Sequence, residues 1–101
     1  MDICYYYSHL IEEFEGARDY IKYAIDLKES NPNWAEAYKK MSLQELDHAS
    51  TLMKIFEDNF KMEASNDLIY ETSHRVVNNL YSENYAKVMY MHQLYDKKVT
   101  F

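Results

Sequence analysis

The chain has 101 residues, 48% hydrophobic and 28% charged, with a net charge of -6 and a single cysteine, Cys4. That length holds one domain, 1–101, near the size where a partner subunit often adds stability, and the acidic balance disfavours nucleic-acid and anionic-membrane partners, which need clustered Lys and Arg. A lone cysteine excludes an intrachain disulfide or a cysteine-based zinc site, and with no basic-then-apolar leader and no uncharged apolar stretch near about 18 residues the chain reads as cytoplasmic.

One Gly and one Pro leave little material for hairpin turns, so an all-α fold is expected. From about Asp2 to Glu29, apolar residues recur at Ile3, Tyr7, Leu10, Phe14, Ala17, Ile21, Ala24 and Leu27, the three-and-four spacing of a long amphipathic helix. Ser30-Asn31-Pro32-Asn33 then supplies a break, an N-cap and a proline suited to a first helical turn. A second helix follows from about Asn33 to Phe60, with Trp34, Tyr38, Met41, Leu52, Phe56 and Phe60 on one face. So short a connection favours a long antiparallel hairpin. Ser65, Asn66 and Asp67 are the caps expected for a third helix, about Asp67 to Lys98, packing through Tyr70, Val77, Tyr81, Val88 and Tyr95 and ending in basic Lys97-Lys98. Three helices close a small core, and dimerisation would complete a four-helix-type bundle.

The direction in which each charged residue points separates the glutamates. Glu13 falls between Leu10, Ala17, Tyr20 and Ala24 on the apolar side of the first helix, whereas Glu12 and Glu15 point away. Glu45 falls in the stripe formed by Trp34, Tyr38, Met41, Ala49, Leu52 and Phe56, with His48 one turn later on its flank. A carboxylate in a dry core costs several kcal/mol or takes up a proton, so Glu45 is expected to have a partner. A metal ion is one: Glu45 and His48 form Glu-x-x-His, which aims an oxygen and an imidazole nitrogen at one point. Counted from Asn31, Glu13 lies eighteen residues away and Glu45 and His48 lie fourteen and seventeen, so all three share one level of the hairpin. Two carboxylates and one imidazole suit iron or manganese better than a sulfur-rich structural zinc site. Pairing of Glu45 with Lys or Arg, or with buried tyrosines, is the structural alternative. The spacing alone is weak, since ten Glu and four His produce about 0.4 such matches by chance; the inward phase carries the weight.

The runs Ile11-Glu12-Glu13-Phe14-Glu15-Gly16-Ala17-Arg18-Asp19-Tyr20 and Glu45-Leu46-Asp47-His48-Ala49 resemble the ferritin-like superfamily, specifically its short rubrerythrin-like and encapsulated-ferritin-like members. The likeness is best over the first two helices. It implies that Glu13 and Glu45 are carboxylate ligands, that His48 is the imidazole ligand, and that Tyr20 stands behind them near the metals. Such proteins usually hold two irons between four helices, with a second Glu and a second Glu-x-x-His from the other helix pair. Here Glu71-Thr72-Ser73-His74 repeats the motif on the third helix, but Glu71 lies off the apolar stripe and a fourth helix is missing, so Glu71 and His74 rank below the first three. The resemblance offers another completion: two chains about a twofold axis, each contributing Glu13, Glu45 and His48, enclose two metals at a dimer interface. No Cys-x-x-Cys pair occurs, so the rubredoxin-type electron-transfer domain of full rubrerythrins is not in this sequence.

The expected function is that of a diiron-carboxylate protein binding iron and oxidising Fe(II) with oxygen or peroxide, a ferroxidase-type oxidoreductase. The alternatives are a metal-free helical interaction module of the same architecture and a scaffold that stores metal without turnover. His9 and His92 read as packed or surface histidines, Tyr5-Tyr6-Tyr7 as subunit-contact surface, Met41, Met53, Met62, Met89 and Met91 as core filling, and Cys4 as a buried or idle thiol.

Overall fold

The computed structural model describes residues 3–62 and 68–97, and it is three helices: α1 (Ile3–Leu27), α2 (Pro32–Met62) and α3 (Leu68–Lys97). The boundary between α1 and α2 follows from local chemistry. The α1 helix stops two residues after Ile25, and the backbone N–H of Asn31 closes its end by donating to the Leu27 carbonyl at 2.8 Å. Asn31 then caps α2: its side-chain oxygen accepts from the backbone N–H of Trp34 at 3.2 Å, and Pro32, which has no N–H to waste, takes the first helical position. The caps expected among Ser65, Asn66 and Asp67 lie outside the described residues, as does the side chain of Tyr70.

The short turn folds α2 back along α1, and α3 lies against the pair, more on α1 than on α2. Two apolar clusters run along the bundle. The larger joins Leu10, Phe14, Leu46, Phe56, Val77 and Val88; the smaller, toward the α1–α2 turn, joins Ile21, Ala24, Ala35 and Tyr95. Between them sits one polar layer. Ser42, fully buried on α2, donates to the carbonyl oxygen of Ala17 on α1 at 2.7 Å, and its oxygen lies 2.9 Å from Nε2 of His92 on α3. Because the single hydroxyl proton is spent on the carbonyl, His92 must donate through Nε2. His92 is therefore a buried tie among all three helices, the packed member of the two alternatives expected for it, and desolvation holds its pKa below the usual histidine value, with Lys39 acting in the same direction and Asp96 in the opposite one.

At the turn end, Tyr95 locks α3 down. Its hydroxyl donates to Glu36 at 2.8 Å, Lys28 donates to its backbone carbonyl, and the Lys28 ammonium lies 4.4 Å from its ring centre. Burial and the Glu36 contact push the Tyr95 phenol up to about 12.

The bundle measures 54 × 20 × 16 Å, so a side chain on the side of the hairpin away from α3 meets solvent. This corrects the stripe expected for α2. Its buried residues are Ala35, Ser42, Leu46, Ala49, Met53 and Phe56, while Trp34 is 61% exposed and Met41 39%. The core-facing direction is rotated by about 60° at 100° per residue. The physical reason is that α2 carries a wider apolar arc than α1 and α3 together can cover. On α1 the outcome is closer to expectation, with Leu10, Phe14, Ala17, Ile21 and Ala24 buried, but Tyr6 takes the inner place expected of Tyr7. Cys4 is exposed. Among the described residues, no helix is long and apolar enough to cross a membrane.

Candidate metal centre

The hairpin register that sets Tyr6 against Phe56, Ala17 against Ser42 and Tyr20 against Tyr38 also sets Glu13 against His48 and Gly16 against Glu45. Glu13 and Gly16 are one turn apart on α1, as Glu45 and His48 are on α2, so four residues face one another across the helix pair. One ligand atom each from Glu13, Glu45 and His48 lies within 4.8 Å of the others. His48 Nδ1 stands 3.2 Å from Glu13 Oε2.

The cluster lies on the uncovered face of the hairpin, where a dry core was expected. The Glu13 side chain is 21% exposed and that of His48 60%, with Glu45 between buried and exposed. The rotation of the α2 core toward α3 explains this, because it leaves Glu45 and His48 on the open flank together with Trp34, Met41, Leu52 and Ile55. All six residues fall within about 80° of arc on α2.

The site carries more negative charge than it can balance. A hydrogen bond shared with Glu13, partial burial and the charge of Glu13 push the Glu45 carboxyl up to about 7, against the opposing pull of His48. A second carboxylate so close disfavours the charged form of Glu45, which is the direction of that shift. A cation placed between the two would favour the charged form and offset the repulsion, and two hard oxygens with one imidazole nitrogen fit iron or manganese.

Tyr20, two turns beyond Glu13 on the same face, is half-buried and stacks on Tyr38 with ring centres 6.1 Å apart. Glu71 and His74 are not in this group. Glu71 is exposed in the first turn of α3, and His74 Nε2 lies 2.7 Å from Oε1 of Glu57 on α2, with its ring stacked on Phe56 and tilted against Phe60. Sequence reasoning did not single out Glu57, whose role depends on which residue α3 brings against it. It also passed over Gly16 as part of the site, although a sole glycine in mid-helix, costing about 0.5–1 kcal/mol relative to Ala, is a visible signal.

A family model described as Rubrerythrin matches residues 8–98, almost the whole chain. No curated protein and no solved structure matches it. The family match spans all three helices and includes each member of the Glu13, Glu45 and His48 cluster. The chain belongs to the rubrerythrin family and has its ferritin-like, all-α fold.

Proposed function

We propose that this protein is a diiron-carboxylate protein that binds iron through Glu13, Glu45 and His48 and oxidises Fe(II) with oxygen or peroxide. The observation that carries the reading is the convergence of those three donors within 4.8 Å on one face of the hairpin. Family membership agrees with it. Bound there, iron would supply one-electron chemistry toward the oxidant. The chain's own contribution is to hold the donors in place: α1 presents Glu13, α2 presents Glu45 and His48 from one turn, and Glu45, whose carboxyl is pushed up to about 7, gives up its proton to become a ligand. Tyr20, about 10 Å along α1 from Glu13, is assigned a supporting role near the ligands. Manganese satisfies the same donors and is the second metal to test.

Three protein ligands leave coordination positions open, and a second copy of the chain is the proposed completion. Two sets of Glu13, Glu45 and His48 about a twofold axis would enclose two irons. Supporting this, exposed Met41 lies one turn from Glu45 and exposed Ile55 two turns from His48 on the same flank of α2, apolar surface of the kind that marks an interaction site.

A metal-free helical interaction module is the second reading, and one contact favours it: Nδ1 of His48 lies 3.2 Å from Oε2 of Glu13, so the two side chains can partner each other directly. An anaerobic Fe(II) titration of the apo protein, read with its solution mass, decides between them. About one iron per chain in a dimer or larger assembly is expected. Two per monomer would bring Glu71 and His74 into the site, and no saturable binding would leave the interaction module.

A further inference from the structure

Gly16 is the only glycine in the chain, and it sits in the middle of a helix, the place where glycine is least suited. Its backbone does not require it. No glycine has a positive φ among the described residues, and α1 runs unbroken from Ile3 to Leu27 through this position. The explanation must therefore lie in the space where a side chain would be, and that space belongs to one residue. A Cβ at Gly16 would stand 3.2 Å from Oε2 of Glu45, 3.4 Å from its Cδ and 3.5 Å from its Cγ, and these are the three nearest atoms. The first distance is tighter than an ordinary carbon contact, so with any larger residue the carboxylate would have to move back from α1.

We infer that Gly16 is a positioning residue for the metal site: by lacking a side chain it lets the Glu45 carboxylate lie against α1, within reach of Glu13. The inference rests on the metal-site reading of Glu13, Glu45 and His48, and it adds a residue that touches no metal. Its physical signature is a trade between stability and binding. In an ordinary helix interior Gly→Ala stabilises, because alanine loses less backbone entropy on folding and leaves less backbone exposed. Here the same methyl group displaces a ligand by a few tenths of an ångström or turns it to another rotamer, and groups that orient a ligand typically contribute 10–100-fold to metal affinity.

The test compares the wild-type chain with Gly16→Ala and Gly16→Leu, two good helix formers that fill the space progressively. Each is measured by apo thermal melting, anaerobic Fe(II) titration and the ligand-field spectrum of bound Co(II). Gly16→Ala is expected to raise the apo melting temperature by about 2–8 °C and to weaken Fe(II) binding about 10–100-fold with an altered Co(II) spectrum. Gly16→Leu is expected to weaken binding further, and if it fails to fold, Gly16→Ala still decides. Wild-type affinity and spectrum in Gly16→Ala would overturn the inference. So would a fall in apo melting temperature with unchanged affinity, which would make Gly16 a packing residue. Absence of Fe(II) binding in the wild-type chain would instead defeat the metal-site reading itself, so the two failures are distinguishable.

Discussion

The chain contains Glu-x-x-His twice, and the two copies end in different surroundings. On α2, Glu45 meets a second carboxylate, Glu13, which helps push the Glu45 carboxyl up to about 7, while His48 closes the group at 3.2 Å from Glu13. On α3, Glu71 points to solvent, and His74 is occupied by a single carboxylate, Glu57, at 2.7 Å and by the rings of Phe56 and Phe60. One copy is a charge-unbalanced cluster that a cation would relieve. The other is a satisfied pair that ties α3 to α2. The motif is identical in the two places, so the distinction comes from what the opposing helix offers: α1 presents a carboxylate toward Glu45, whereas nothing in the described chain is paired with Glu71.

The largest effect that would break this comparison is expected from Glu45→Ala. It should abolish saturable Fe(II) uptake while leaving the helical circular-dichroism spectrum intact; unchanged iron stoichiometry would remove the distinction between the two motifs. Next, His48→Ala should weaken Fe(II) binding at least about tenfold, since even residues that merely support a ligand contribute that much, whereas His74→Ala should leave the titration unchanged. Equal losses in both variants would place His74 in the site.

A stability measurement sharpens the contrast between open and sealed clusters. His92 is 4% exposed and hydrogen-bonded to Ser42, so His92→Ala should cost about 1–3 kcal/mol by leaving that buried hydroxyl short of a partner. The same residue sets a pH dependence. Its folded-state pKa is depressed, so the unfolded chain takes up the proton first. The stability His92 contributes is present above the ordinary histidine value of 6.5 and is lost as pH falls below it, so this acid limb of a melting-temperature profile should flatten in the variant. The smallest effect belongs to His74→Ala, about 1 kcal/mol in chemical denaturation, because Glu57 and His74 are each about one-third exposed and water compensates for much of their pairing.

Much of this was legible in the linear chain. The Asn31-Pro32 break, the three amphipathic periods and the phase of Glu13 with Glu45 are local properties, governed by 100° of rotation per residue and by what proline and asparagine do at a helix start. Glu13 and His48 lie eighteen and seventeen residues from Asn31, nearly the same height by rise per residue, so the meeting of these side chains was a matter of counting.

Other features were decided only when the third helix took its place. Whether an amphipathic arc is buried depends on how much neighbouring surface exists to cover it, and α3 covers one side of the hairpin alone. Trp34 and Met41 consequently stand exposed on α2 while Ser42 and His92 are sealed inside. His74 found Glu57 for the same reason: hydrogen-bond partners on different helices are set by docking, which periodicity within one helix does not encode. The sequence by itself determined the elements and which residues were candidate donors, because helix formation and side-chain phase are local; the tertiary structure decided which of those side chains meet, which are satisfied and which face water, because those depend on distances between chain segments far apart in sequence.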